Sequence, residues 1–329
     1  MRVAVAGLGG ACMRGHLPAL VRLEAEGRLT LVAAADPDGD RRVAAAPQLA
    51  GRPIFETAEE MLASVPATVL VVAAEPRSHA GLVALGARHG LHVVCEKPLT
   101  LDPDEQEELA RAYADRRGPA IVSVHQYRYS PAWGRFARWG RVADWLRTPF
   151  ELAVCVERDG TDRHAASPWR ADVARSGGML ADHGVHYLAL GWTISDELGS
   201  VDVSRTWTST GREQSRARLR LGSGTLALEV NGAAPARRTC VELRAANVVL
   251  NWTDAQATLT AGGRVVSRRR TEALSDRQHV DALYLPFYRD VAVGLASATW
   301  RLRRTAETLT VSATLLALLE QIPIDAAVA

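Results

Sequence analysis

The sequence predicts an α/β fold class: a doubly wound parallel sheet over residues 1–125, then an α+β domain over 126–329 built on a large, mostly antiparallel sheet. Three observations carry this. Short apolar runs alternate with helix-like stretches from Val3 to Val124. A glycine turn closes the first of those runs and an acid closes the second. Beyond Pro131 the strand-like runs follow one another across Gly, Asn and Ser turns rather than across helices.

Val3–Ala6 ends in Gly7-Leu8-Gly9-Gly10-Ala11-Cys12, and a helix-like stretch follows from about Arg14 to Glu24. Strand, glycine turn and helix is the setting in which such a turn binds a dinucleotide, the Rossmann arrangement. Gly7 permits the tight turn, and Gly9 lets backbone N–H groups approach a pyrophosphate at the helix N-terminus. Cys12 stands where a third glycine would, which loosens the helix–strand packing. Leu29–Ala35 reads as a buried parallel strand ending in Asp36. Asp36 lies 24 residues past Cys12, close to the roughly 20 expected of a carboxylate on the adenosine ribose. Such an acid accepts from ribose hydroxyls and repels a 2′-phosphate, so NAD is expected over NADP. Arg41 and Arg42 are the nearby cations that would tolerate a phosphate.

The alternation continues with Thr57–Ser64 as helix, Thr68–Ala73 as strand, Ser78–His89 as helix and Leu91–Cys95 as strand. Asp102–Arg117 reads as helix and Ala120–Val124 as strand. Ligands of a doubly wound sheet bind outside the C-terminal ends of its strands. That rim collects Gly7–Cys12, Asp36, Ala74, Pro76, His79, Glu96, Lys97 and the stretch His125–Arg128. Lys97-Pro98 is a candidate cis peptide. His79 reads equally as a polar residue at a helix start or as a cofactor contact.

In the second half Trp133–Trp145 is helix-like. Strands are expected at Glu151–Glu157, Val201–Thr208, Arg216–Leu221, Gly224–Val230, Cys240–Arg244, Asn247–Trp252, Ala257–Thr260 and Arg264–Arg268, with closing helices at Tyr284–Val293 and Thr305–Glu320. One stretch differs from scaffold: Trp169-Arg170, then Gly177-Gly178-Met179-Leu180-Ala181-Asp182-His183-Gly184-Val185-His186. On a helix Asp182 and His186, four apart, share a face and make an oriented acid–base pair. His183 would sit about a quarter-turn away, as a supporting residue or a substrate contact. His183 and His186 lack a third ligand at metal spacing, so no metal is expected.

Lys97 stands out on composition alone. Of 39 basic residues it is the single lysine. An ammonium is compact and can lose its proton near neutral pH when its site is tuned, which a guanidinium cannot. A chain that otherwise uses arginine throughout points to Lys97 as a group for chemistry. The net charge of +2 gives no reason to expect nucleic acid or an anionic membrane, and no apolar run approaches a membrane span. Cys12, Cys95, Cys155 and Cys240 are far apart and form no CxxC, which disfavours zinc and a disulfide framework. With no room for a signal peptide before the glycine turn, a reduced, cytoplasmic protein is expected.

These residues resemble the glucose–fructose oxidoreductase/inositol dehydrogenase (Gfo/Idh/MocA) family along essentially the whole chain. The resemblance runs through Gly7-Leu8-Gly9, His16-Leu17-Pro18, Asp36, Pro76 with His79, and Glu96-Lys97-Pro98. It continues through Arg128-Tyr129-Ser130-Pro131, Trp169-Arg170, and Gly177-Gly178 leading to Asp182, Gly184 and His186. It implies that Lys97 binds the reacting hydroxyl and the nicotinamide ribose, that His186 moves the hydroxyl proton, and that Asp182 orients substrate and histidine. It implies a carbohydrate or cyclitol substrate, met by Lys97, Arg128, Trp169, Arg170, Asp182, His183 and His186, and a homo-oligomer, dimer or tetramer. The expected reaction is hydride transfer between NAD and a ring hydroxyl or ketone of a sugar, sugar nucleotide or cyclitol. Two other readings stay open: an epimerase or eliminating enzyme that uses bound NAD transiently, and a non-catalytic dinucleotide-binding regulator. Cys12 and the Asp-His-Gly-Val-His order depart from the family pattern. Arg268-Arg269-Arg270 reads as a solvated face, or as a contact for a phosphorylated sugar.

Overall fold

A computed structural model describes residues 1–115, 118–130, 133–134, 148–159, 168–207, 212–253, 256–270 and 280–321. The chain forms two compact units, Met1–Tyr129 with Leu274–Leu309, and Ser130–Ala273 with Thr310–Ala329.

In the first unit, strands β1 (Arg2–Ala6), β2 (Thr30–Ala35), β3 (Ile54–Phe55), β4 (Val69–Val72), β5 (His92–Cys95) and β6 (Ile121–Ser123) form one parallel sheet in the order β3-β2-β1-β4-β5-β6. The order reverses between β1 and β4, and that switch point is where such sheets bind their ligands. Helices α1 (Leu17–Ala25), α2 (Gly39–Leu49), α3 (Ala58–Ser64), α4 (Pro76–Arg88) and α5 (Pro103–Ala112) connect the strands. Both faces of the sheet are covered, which is why Val69-Leu70-Val71-Val72 is buried at every position rather than alternating. Asp38, Thr57 and Asp102 cap α2, α3 and α5 with their side-chain oxygens. Helix α2 has no counterpart among the elements expected from sequence. Its Pro47 breaks the helical pattern, and the Asp38 cap is what starts it.

The returning segment explains why this unit is not one continuous stretch. Helix α7 (Leu285–Gly294) supplies Leu285, Phe287, Tyr288 and Val291 to the same core as α1; α6 (Val185–Ile194) belongs to the second unit. The first part of α8 (Ala298–Glu320) then lies along β6, where Thr305 and Thr308 hydroxyls accept from the backbone N–H groups of Ile121 (3.3 Å) and Ser123 (2.8 Å). An edge strand that would otherwise expose unpaired donors is thereby closed.

In the second unit, β7 (Phe150–Glu157), β8 (Leu198–Trp207), β9 (Glu213–Leu221), β10 (Gly224–Asn231), β11 (Arg238–Ala245), β12 (Val248–Thr253), β13 (Gln256–Ala261) and β14 (Arg264–Arg270) form one sheet, in the order β14-β13-β12-β11-β7-β10-β9-β8. All its pairs are antiparallel except β7 with β10. Burial alternates along β7, β9 and β10, so one face is core and the other is wet. Helix α6 (Val185–Ile194) packs on the core face. Gly184 and Gly191 let it lie close, since a Cβ there would meet Leu228 at 3.1 Å and Leu226 at 3.2 Å. Arg268-Arg269-Arg270 is exposed on the edge strand β14, the solvated reading of that run. The helix expected at Trp133–Trp145 lies outside the described residues from position 135 on.

Candidate functional site

The glycine turn follows β1 directly. Gly7 has φ +95°, and a Cβ there would come within 2.6 Å of the Ala73 and Ala74 backbone, so β1 and β4 approach closely only because this residue is glycine. Asp36, 2% exposed, is joined to the turn: its Oδ2 accepts from Leu8 N at 2.7 Å and its Oδ1 from Asp38 N at 2.9 Å. Arg41 brings a guanidinium 3.8 Å from Asp36 Oδ2, and the same group lies 4.0 Å from a Cβ position on Gly9. Arg14 covers Gly10 in the same way, at 2.9 Å. Arg14 beside the bare glycine turn suits the oxygens of a pyrophosphate, while Arg41 stands at the Asp36 carboxylate, which suits ribose hydroxyls. Cys12 plays another part: its side chain is buried in the core, and burial, with the charge of Asp36 next, pushes its thiol up to about 12. The chain opens the following helix with a wider π turn, Cys12–His16.

Lys97 is half-buried at the C-terminal end of β5, and the Lys97–Pro98 peptide is cis. Its neighbour Glu96 anchors a buried cluster. Glu96 Oε1 meets His16 Nε2 at 2.8 Å and accepts from Tyr284 Oη at 3.5 Å, while Oε2 accepts from Lys97 N at 3.1 Å. His16 Nδ1 lies 2.6 Å from Tyr288 Oη. Burial alone would raise the Glu96 carboxyl. The His16 hydrogen bond and the charges of His16 and Lys97 outweigh it and hold the group below the usual carboxylate range. His79 is buried, with Nδ1 2.7 Å from the Pro98 carbonyl and Nε2 3.1 Å from that of Ala74. It braces the end of β4 against the residues after Lys97, and burial lowers its pKa. Ala74 and Pro76 stand on the same rim, Pro76 in the first turn of α4. Arg128 is held by the Glu307 carboxylate and lies 5.8 Å from the Tyr129 ring centre. It is a brace between the end of β6 and α8.

In the second unit the glycine pair is conformational: Gly177 and Gly178 both have positive φ, +71° and +76°. The chain then winds through a π turn, Leu180–Gly184, before α6. The sequence reading places Asp182 and His186 on one regular helix; the structure puts a wider turn through Asp182 and an α-helical turn at His186. A Cβ on Gly184 would meet Leu180 at 2.8 Å, so the wider turn depends on it. Asp182 Oδ2 lies 3.4 Å from Arg170 Nε and 3.7 Å from His183 Nε2. Arg170 in turn lies 4.3 Å over the Trp169 ring. Trp169, Arg170, Asp182 and His183 thus form one cluster, with His186 buried one turn along.

Three residues that organise these sites are absent from the functional reading of the sequence. Arg14 gave no signal beyond its place one turn past the glycines. His16, quoted only as part of a motif, is the buried partner of Glu96. Glu213 holds the second site: its carboxylate accepts from Met179 N (2.6 Å), Leu180 N (3.2 Å) and Ser215 Oγ (2.5 Å). The signal was an acid in phase with Ala217, Leu219 and Leu221 on the buried side of a strand.

Residues 1–124 match the Gfo/Idh/MocA family model, described as an oxidoreductase family with an NAD-binding Rossmann fold. Among curated proteins the chain is 29% identical, over 42% of its length, to D-xylose 1-dehydrogenase (NADP(+)) 2 of Haloferax volcanii. The match spans 41% of that relative, and the chain spans under half the length of each of the curated relatives it matches. Over 98% of the chain and 97% of the other, the fold superposes with TM-score 0.76 on KijD10, a 3-ketoreductase from Actinomadura kijaniata in complex with NADP and TDP-benzene, at 20% identity. The WlbA dehydrogenase from Bordetella pertussis, in complex with NADH and UDP-GlcNAcA, gives 0.73 over 97% and 96%, at 17% identity. At these identities the structures show a shared fold.

Proposed function

We propose that the chain, whose residues 1–124 match the Gfo/Idh/MocA oxidoreductase family model, is an NAD-dependent dehydrogenase, or ketoreductase in reverse, acting on a ring hydroxyl of a sugar, sugar nucleotide or cyclitol. The observation that carries this reading is Lys97, the single lysine of the chain, standing at the cofactor rim with its backbone N–H fixed by Glu96. Bound NAD would lie with its pyrophosphate over Gly7–Cys12 and its adenosine ribose toward Asp36, and it supplies the hydride acceptor. The protein supplies the rest. The Lys97 ammonium steadies the negative charge that grows on the reacting oxygen. His186 takes the hydroxyl proton, and returns it in the reverse direction. Asp182, braced by Arg170 and His183, orients the substrate and the imidazole. Trp169 and Arg170 offer a flat face and a cation to the sugar or its nucleotide. Arg128 enters the reading only as a brace, because Glu307 holds its guanidinium. NAD is favoured over NADP by the buried Asp36 carboxylate. The same family reading carries a homo-oligomer and a cytoplasmic setting, which light scattering and cell fractionation test.

The experiment is a reduced-nicotinamide absorbance assay of the purified chain with NAD against cyclitols, free sugars and sugar nucleotides. Accumulating NADH with one class supports the reading and names the substrate. Tightly bound cofactor with no net reduction, alongside an isomerised or dehydrated product seen by mass, would replace it with transient redox.

A further inference from the structure

Two of the four cysteines sit in a relation that the sequence does not display. Cys155 on β7 and Cys240 on β11 are 85 positions apart, yet they are direct partners in the antiparallel register of those strands. Residues directly opposite in such a ladder point to the same face. Their Cα atoms are roughly 4.5 or 5.5 Å apart depending on the ladder position. Both separations fall within the roughly 4.4–6.8 Å that a disulfide spans. The face is the wet one. Both thiols are free and half-buried, and both line a depression of about 390 Å³ with Ala153, Ala227, Glu229 and Glu242. Cys12 and Cys95, in contrast, are buried in the first unit.

We propose that Cys155 and Cys240 form a reversible dithiol–disulfide site, oxidised by a peroxide and restored by thiols. The two sulfurs have different surroundings. Asn251 Nδ2 lies 3.6 Å from Cys240 Sγ and can donate to a thiolate there. Burial, then the charges of Glu157 and Glu229, keeps Cys155 protonated, with Arg238 opposing. Cys240 is therefore the attacking sulfur and Cys155 the resolving one. The Cys240 thiolate attacks one peroxide oxygen; the O–O bond breaks, water leaves after protonation, and a sulfenic acid remains. The Cys155 sulfur then attacks that sulfenic sulfur, giving up its thiol proton as the second water leaves. Two electrons pass from the two sulfurs to the peroxide, and one S–S bond forms. The bond would join the strand pair at the centre of the sheet and close a loop containing Trp169, Asp182 and His186.

The test uses the full chain, reduced and then treated with hydrogen peroxide, followed by thiol counting and non-reducing peptide mapping. The expected result is loss of two of the four titratable thiols and a chain mass lower by two hydrogens. A Cys155–Cys240 linked peptide should form within one chain, and dithiothreitol should reverse all three changes. Cys155→Ser and Cys240→Ser should each abolish the linkage, and Cys12→Ser should leave it intact. Four thiols remaining after treatment, a link to Cys12 or Cys95, a link between two chains, or overoxidation of Cys240 without a link would each overturn the proposal.

Discussion

Lys97 concentrates the functional argument at the scale of single residues. It is the one position where this chain departs from arginine, and its backbone is fixed by a Glu96 carboxylate that His16 and Tyr284 also hold. Lys97→Arg keeps the charge but replaces a compact donor with a wide, permanently protonated fork. Turnover should fall by about 10²-fold or more, with the circular-dichroism spectrum unchanged; wild-type turnover in this variant would contradict the assigned role. Arg41 bears on the cofactor. Its guanidinium lies beside both Asp36 and the glycine turn, where a 2′-phosphate would meet it. Arg41→Ala should weaken NADP by about tenfold, the equivalent of roughly 1.4 kcal/mol, while changing NAD much less. Fluorescence titration with both dinucleotides measures this, and an equal loss for both would assign Arg41 to the shared pyrophosphate instead.

At the scale of elements, the second site hangs on one strand residue. Glu213, 4% exposed at the start of β9, accepts from the Met179 and Leu180 N–H groups at the start of the π turn that carries Asp182 and His183. Glu213→Ala should leave the buried Leu180 N–H unsatisfied, at about 1–3 kcal/mol, release the partly buried Met179 N–H, and let that turn shift. The expected outcome is an unfolding midpoint lowered in urea together with kcat reduced by roughly tenfold or more. A variant with the lowered midpoint and unchanged kcat would show that Glu213 supports the fold alone. A sequence pattern finds β9 by alternation, but an acid on its buried side acquires meaning only when the turn it holds is known.

At the scale of the whole molecule, buried histidines set the response to acid. His125, 4% exposed, is pushed down to about 4, first by burial, with the charges of Arg128 and Lys97 adding and those of Glu307 and Glu96 opposing. Its unfolded value is about 6.5, so between pH 6.5 and 4 the unfolded chain binds more protons than the folded one. Stability is then complete above pH 6.5 and declines as pH falls toward 4, by about 3 kcal/mol for this group. His79 shifts in the same direction. Glu96, held low, adds a loss at still lower pH, as it becomes protonated. Urea midpoints measured across that range should fall steadily, and His125→Gln should flatten the upper part of the curve. A midpoint independent of pH from 6.5 to 4.5 would refute this.

The alternation of apolar runs with helical stretches, the glycine turn and the acid after β2 were enough to determine most of the parallel sheet within residues 1–125, because a parallel sheet covered on both faces writes its burial into continuous hydrophobic strands. The same local logic singles out as candidates Lys97, whose signal is compositional, and the Asp182–His186 segment, which follows a glycine pair of left-handed backbone. Helix α2 escaped it because Pro47 interrupts the pattern. Tertiary structure alone decided that residues 274–309 return to the first unit, that His16 sustains Glu96, that Glu213 anchors the turn before α6, and that Cys155 faces Cys240. Each of these joins residues far apart in the chain, and sequence periodicity reports which side of an element is buried, never what it is buried against.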